Sequence, residues 1–439
     1  MKKITAIAGT VIITCSLLTG CEGNSKPAPT TSVQAQEEPE SGNAGDEKHE
    51  DSAQARTERL PLTLMSVDST ANGFDEWIKR VEEACNLDIT VVDCPTNTND
   101  RQAKITTILS SGDTSVDIIT VNDEMYTAYK NTGWLEPLEN TVMKSDILAY
   151  YPEMYMNDMV ITENGGIYSV PSYFSVLGFF VNNKILKETG MTSIDSYDDF
   201  VDFITKATKE GRYGYGGAWE TTYVFNELGT FVNLFGGDYY DWNNPKTQKA
   251  IKLLYDMCHD MGVTPMSQLA DQYDPLRQNM IDEKYSSCFL YSGQIAKFKD
   301  AGVYGDDAVK MVIPPTFETC SAYCSAWHFV LNSASENKEA AVRFLQYSTT
   351  PEAYVDYCTT FGRFPARLDI LMNDDFQVTG IDEIREYIDK VTLRGRPMVP
   401  ESMEFISGIG SLFQQLVTDE IDMDTFFKMA QEETGKYIQ

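Results

Sequence analysis

Two short stretches carry residue types suited to gripping a polar ring. In the run from Gly214 to Thr221, three glycines (Gly214, Gly216, Gly217) lead into Trp219-Glu220. A tryptophan beside a carboxylate on a glycine-rich loop suits stacking on an apolar C–H face together with capture of a hydroxyl. Glu220 and Thr221 argue for a solvent-facing loop, against the plain reading of Trp219 as core. Trp242, in "GGDYYDWNN" (Gly236–Asn244), either reaches a cleft in the same way or caps the helix that Asn244-Pro245 opens. Asp68, Asn97 and Asp123 follow apolar runs and supply side chains that satisfy hydroxyls, although turn chemistry alone also explains them. Trp77 and Trp134 read as core.

Other chemistries find little support. No GxSxG, HExxH or phosphate-loop pattern is present. The chain has 3 histidines, and His49 falls in a low-complexity stretch, so a nucleophile–histidine dyad has few options. Glycoside hydrolysis needs only two carboxylates, and 66 acids leave that class open. With 35 basic side chains the net charge is −31, which repels nucleic acid and anionic lipid and otherwise serves solubility. Cys15 and Cys21 lie at the N-terminal end, leaving Cys85, Cys94, Cys258, Cys288, Cys320, Cys324 and Cys358. None of their spacings is a zinc pattern. They read as isolated buried thiols, with one or two local disulfides left open for an oxidising compartment.

Residues 1–20 read as an export signal: Lys2 and Lys3 precede the apolar run Ile4–Leu18, too short for a comfortable membrane span. Leu18-Thr19-Gly20 before Cys21 resembles the bacterial lipobox. That resemblance implies cleavage before Cys21 and lipidation of its sulfur, two acyl chains anchoring stably where one is marginal. A signal with a chance cysteine is the alternative. Residues 21–58 are rich in Ser, Pro, Gln, Gly and Glu, with Val33 the only larger aliphatic. They cannot bury enough apolar surface to offset ordering entropy, and they read as a disordered, extended acidic tether.

The rest must position the candidate residues. "LTLMSV" (Leu62–Val67), "LDITVV" (Leu87–Val92) and "VDIITV" (Val116–Val121) read as strands. Between them, Phe74, Trp77, Ile78 and Val81 mark one helix and Ile105, Ile108 and Leu109 another. This alternation predicts a parallel sheet whose polar C-terminal ends, near Asp68, Asn97 and Asp123, form the ligand side. Further strands are expected at Gly178–Asn183, Lys310–Pro315 and His328–Asn332. Helices are expected after the Ser196–Asp199 capping box, from Asn244-Pro245, over Asn337–Ser348 and Pro351–Tyr357, and along Phe405, Ile409, Leu412 and Leu416. About 380 residues suit two domains.

Several segments, in order, resemble the extracellular solute-binding proteins, family 1, the maltose-binding-protein-like carbohydrate receptors of ABC importers. They are "SVDIITVNDEMYTAYKNTGWLEPLEN" (Ser115–Asn140), "YSVPSYFSVLGFFVNNKILKETG" (Tyr168–Gly190), "SIDSYDDFVDFITKATKEGRYGYGG" (Ser193–Gly217), Asn233–Met257, Ser335–Ala353 and "FGRFPAR" (Phe361–Arg367). The resemblance implies an α/β fold, periplasmic-binding-protein-like type II: two α/β lobes with a hinge and an inter-lobe cleft. Lobe I would be residues 59–172 and 316–362, lobe II residues 177–314 and 364–439. Crossings would fall near Tyr173–Val176, Pro314-Pro315 and Gly362–Phe364. The resemblance also brings Tyr173 and Phe174 to the first crossing, Tyr291 and Trp327 to cleft-lining positions, and Arg363 to the third crossing. There Arg363 would bind hydroxyls or form an inter-lobe salt bridge.

What the resemblance implies about function is capture of a sugar or oligosaccharide and its delivery to ABC permease subunits. The expected form is a monomeric, non-enzymatic lipoprotein without cofactor, on the outer face of a Gram-positive cell membrane. Three alternatives stay open: a non-sugar ligand on the same fold (a polyamine, or ferric iron on Tyr239-Tyr240), a surface carbohydrate-active enzyme, and an adhesive lipoprotein.

Overall fold

The computed structural model describes residues 58–95 and 97–438. The expected signal, Cys21 and all of the tether except Glu58 lie outside these residues. Strands β1 (Leu60–Met65), β2 (Leu87–Val92) and β3 (Ile118–Asn122) form the predicted parallel array, in the order β2-β1-β3. The helix Phe74–Cys85 crosses between the first two strands, with Phe74, Trp77, Ile78, Val81 and Cys85 buried along one stripe. That spacing is the i, i+3, i+4, i+7 pattern of the sequence made physical.

The sheet then becomes mixed. β4 (Val170–Asn182), β5 (Ser287–Tyr291), β6 (Val309–Val312), β7 (Ser321–Leu331), β8 (Phe364–Pro365) and β9 (Thr392–Gly395) complete it. β7 runs antiparallel to β3 on one side and to β4 on the other. β4 is longer than its sequence suggested. Val170–Val176 pairs with β7, and Leu177–Asn182 pairs with β5 and β6, so one unbroken strand passes from one half of the molecule to the other. Its residues are nearly all buried, so no polar–apolar alternation marks it, and a bulge between Pro171 and Tyr173 absorbs the proline.

Two hydrophobic cores result. The first gathers β1, β2, β3, β7 and the start of β4, and continues beneath β5 and β6. The second lies against Leu177, Phe179 and Val181 of β4, enclosed by helices Tyr197–Ala207, Val224–Leu234, Pro245–Cys258, Ser402–Val417 and Met423–Thr434. The Ser196–Asp199 capping box forms as read. Phe405, Ile409, Leu412 and Leu416 are buried along the long late helix.

After Pro314-Pro315 the chain stays with the second core for several residues. Thr316 N–H donates to the Asp195 carbonyl at 2.9 Å, and the Phe317 ring stands 5.0 Å from that of Phe235. Along β7 the two faces divide between the cores: Ala322 and Cys324 pack into the first cluster and Tyr323, between them, into the second. Gly362, with a φ of 61°, ends the helix Pro351–Phe361 before β8 pairs with Tyr173 and Phe174, and Phe364 to Leu393 continue in the first core. All seven described cysteines are free thiols. Among the described residues no helix is long and apolar enough to cross a membrane.

Candidate ligand-binding cleft

A cavity of about 630 Å³ opens between the two cores, within the ~300–1,000 Å³ typical of small-molecule sites. One wall comes from the strand ends: Asn97 after β2, Asn122 and Glu124 at the end of β3, and Trp327 of β7. Asn122 lines the cavity because it caps the helix Asp123–Tyr129, its Oδ1 accepting from Met125 N–H at 3.2 Å. The opposite wall carries Tyr223, Asn226, Tyr273 and Tyr291.

Aromatic faces and polar atoms are held together here. Tyr223 and Tyr273 meet edge-on at 4.8 Å, and Tyr273 and Tyr291 at 5.6 Å. Asn226 fixes two of these rings: its Nδ2 donates to Tyr273 Oη at 2.9 Å, and Tyr291 Oη donates to its Oδ1 at 3.1 Å. On the far wall Trp327 is half-buried, with the Arg101 guanidinium 5.3 Å from its ring centroid.

Arg396 ties the site together. Its Nη1 donates to Glu124 Oε1 at 2.7 Å and its Nη2 to Asp123 Oδ2 at 3.3 Å. Asp123 is fully buried and also accepts from Tyr155 Oη at 2.7 Å and from Ala326 N–H at 3.2 Å, with His328 Nε2 at 3.0 Å. Burial pushes its carboxyl up, but the His328 hydrogen bond and the Arg396 charge outweigh that and hold it below the usual range. Glu124 Oε2 and Arg396 Nε are buried without a hydrogen-bond partner at this cavity wall.

Of the eleven residues proposed from sequence, Asn97, Tyr291 and Trp327 line the cavity, and Asp123 stands behind it as the anchor of Arg396. The others are placed elsewhere. Trp219 is wholly buried in the second core, its ring edge-on to Phe413 at 5.1 Å, not on a solvent-facing loop. Gly214 and Gly217 serve packing: a Cβ on Gly214 would stand 1.9 Å from the Ile204 carbonyl oxygen, and one on Gly217 2.2 Å from the Trp219 indole nitrogen. Glu220 turns back on its own loop, accepting from Thr222 N–H and Oγ1. Trp242 is also fully buried, its Nε1 donating to Thr434 Oγ1 at 2.8 Å. Phe174 is core. Tyr173 is buried beneath Arg363, whose guanidinium lies 4.7 Å from the ring centroid. Arg363 Nη2 also donates to Asp68 Oδ1 at 2.8 Å, so both charges of that pair are engaged with each other, outside the cavity lining.

Sequence reasoning missed Arg396, Glu124, Asn226, Tyr223 and Tyr273. Only Arg396 carried a signal, as a charge in the Gly- and Pro-bearing run "LRGRPMVP" (Leu393–Pro400). The Tyr239-Tyr240 pair is not arranged for ferric iron. Tyr240 Oη donates to the Met398 carbonyl, and burial raises both hydroxyls, opposing the phenolate a ferric ion requires.

Known proteins agree with this architecture. An ABC transporter solute-binding protein from Thermotoga lettingae TMO, bound with α-D-tagatose, superposes with a TM-score of 0.69 at 20% identity, covering 87% of this chain and 99% of that one. Maltose-bound MalE3 of T. maritima gives 0.69 at 17%, covering 86% and 99%. A substrate-binding protein from Listeria monocytogenes in complex with cycloalternan gives 0.70 at 18%, covering 86% and 98%. These likenesses establish the type II periplasmic-binding-protein fold, two α/β lobes about a hinged cleft. The family and these neighbours are binding proteins rather than enzymes. The sequence model described as bacterial extracellular solute-binding protein matches residues 68–355, and the chain belongs to that family.

Proposed function

We propose that this chain captures a saccharide or polyol between its lobes and hands it to the membrane subunits of an ABC importer. The observation that carries the reading is the inter-lobe cavity itself. Trp327, Tyr223, Tyr273 and Tyr291 offer faces for a sugar ring, while Asn97, Asn226, Glu124 and Arg396 offer partners for its hydroxyls. The sugars bound by the structural neighbours support the same class. Ligand touching both walls favours the closed arrangement over the open one, and the closed form docks on the permease. No catalytic role is assigned to any residue. In this proposal the chain is held at the outer membrane face by lipid on Cys21, the acidic tether giving it reach.

A thermal-shift screen of the purified chain tests the reading, because a ligand that binds only the folded state raises Tm by mass action. The panel holds tagatose, maltose, cycloalternan, hexitols and pentitols, with a polyamine and ferric salt as rivals. A saturable shift with a saccharide or polyol supports the proposal. A shift with only the polyamine or iron overturns it, and loss of a bound sugar on long incubation points to an enzyme. Mass spectrometry of the membrane-extracted chain tests the anchor: a diacylated Cys21 terminus is expected.

A further inference from the structure

Asn226 stands where three elements meet at the cavity. It lies in the first turn of the helix Val224–Leu234, where its N–H donates to the carbonyl of Tyr223, the residue before that helix, at 3.2 Å. Its side chain is only 7% exposed, and Val224, Phe225 and Leu228 of the same turns are buried as well. Both ends of its amide go to ring hydroxyls of the cavity wall. The Nδ2 bond reaches Tyr273, which opens the helix Tyr273–Ile281, and the Oδ1 bond reaches Tyr291, which ends β5. These partners lie 47 and 65 residues further along the chain.

Neither tyrosine is placed by its own element alone. Each is a terminal residue, with regular backbone on one side only. Tyr273 is the middle ring of the wall, standing at 78° to Tyr223 and at 89° to Tyr291, so a shift of Tyr273 is passed to both neighbours. A buried amide is costly unless bonded, and an apolar side chain of similar size would pack at the same place without that cost. What the amide adds is direction, because a bond to each hydroxyl sets the angle at which each ring meets the cavity. A wall set in advance binds more tightly, since less freedom is lost when the ligand arrives.

We infer that Asn226 is a positioning residue: it governs ligand affinity through the setting of Tyr273 and Tyr291, more than through any hydroxyl it meets itself. The inference rests on the proposed sugar capture and adds the residue that arranges its aromatic wall.

Titration calorimetry on the full chain tests it, with whichever of tagatose, maltose, cycloalternan, the hexitols and the pentitols gives a saturable thermal shift. Asn226→Leu removes both bonds and keeps the bulk. Tyr273→Phe combined with Tyr291→Phe keeps the rings and removes their hydroxyls. A third variant carries all three changes. Asn226→Leu is expected to weaken binding about tenfold and the paired tyrosine variant by a similar factor, with the triple variant no more than about threefold weaker than either. Losses that multiply in the triple variant, or an Asn226→Leu chain that binds like wild type, overturn the positioning role and leave sugar capture standing. Should Asn226→Leu not fold, Tyr273→Phe and Tyr291→Phe carry the test singly, and wild-type binding in both overturns the role. A second readout needs no ligand. In chains labelled with fluorotyrosine, the fluorine NMR signals of Tyr273 and Tyr291, assigned by Tyr273→Phe and Tyr291→Phe, are expected to shift and broaden in Asn226→Leu, and unchanged signals overturn the role. If no sugar binds, sugar capture falls while the fluorine spectra still decide how the rings are held.

Discussion

The Arg396 guanidinium stands 3.3 Å from the Asp123 carboxylate, and both groups are withdrawn from water. Asp123 comes from the end of β3, whereas Arg396 follows β9, more than 270 residues later. The pair therefore joins distant parts of the chain directly behind the ligand cavity. Removing one partner breaks a buried ion pair, leaving Arg396 with Glu124 alone or Asp123 with His328, and breaking such a pair costs roughly 3–5 kcal/mol. Arg396→Met is expected to lower denaturant stability by about that much, and Asp123→Asn by a similar amount because it removes the negative charge and sets an amide NH2 where a second carboxylate oxygen accepted from Ala326 N–H and Arg396. The double variant should be less destabilised than the sum of the two. Strictly additive losses in urea melts would show that the residues do not act as a pair.

Trp327 and Trp219, both singled out from the sequence, should separate by readout. Trp327 is half-buried and faces the cavity, so Trp327→Ala is expected to weaken ligand binding about 10- to 100-fold while Tm moves little. Trp219 is wholly buried against Phe413, so Trp219→Ala should cost roughly 3–5 kcal/mol of stability. Titration calorimetry and melting curves on both variants check this. A Trp327→Ala chain that binds normally would remove that ring from the site.

The same contrast shows what was legible in the sequence. Trp327 was recognised through its place in a family block, which encodes tertiary position. Trp219 is judged from its polar neighbours Glu220 and Thr221, but these are only half-buried, Glu220 bonding within its own loop, while the indole turns inward. A polar neighbour says little about the next side chain on an irregular loop. Periodic segments were readable because burial repeats along them: Phe74–Cys85 and β1 to β3 fall within a few residues of expectation. β4 was read as half its length because burial on both faces erases alternation. Tyr223 and Asn226 share the start of one helix, whereas Tyr273 opens another 47 residues after Asn226, so no local pattern links it to them. Arg396 is meaningful only once Asp123 and Glu124 are beside it.

Glu227 gives a pH dependence whose sign can be worked out. It lies on the helix Val224–Leu234, one residue after Asn226, and is almost completely buried. Burial raises its carboxyl from 4.5 to about 8, and the hydrogen bond from Tyr215 only partly opposes this. An acid raised on folding favours the folded state when protonated. Its contribution is fully present below the unfolded value of 4.5 and is lost as pH rises through about 8. The unliganded chain is therefore expected to lose stability between pH ~5 and pH ~9, by an amount on the order of a few kcal/mol. Glu227→Gln keeps a neutral group of the same shape and should flatten that slope, gaining stability at the alkaline end. Melting curves across the window decide it. A wild-type Tm that climbs from pH ~5 to ~8, or a Gln variant with an unchanged slope, would mean the carboxylate is already ionised in the folded protein.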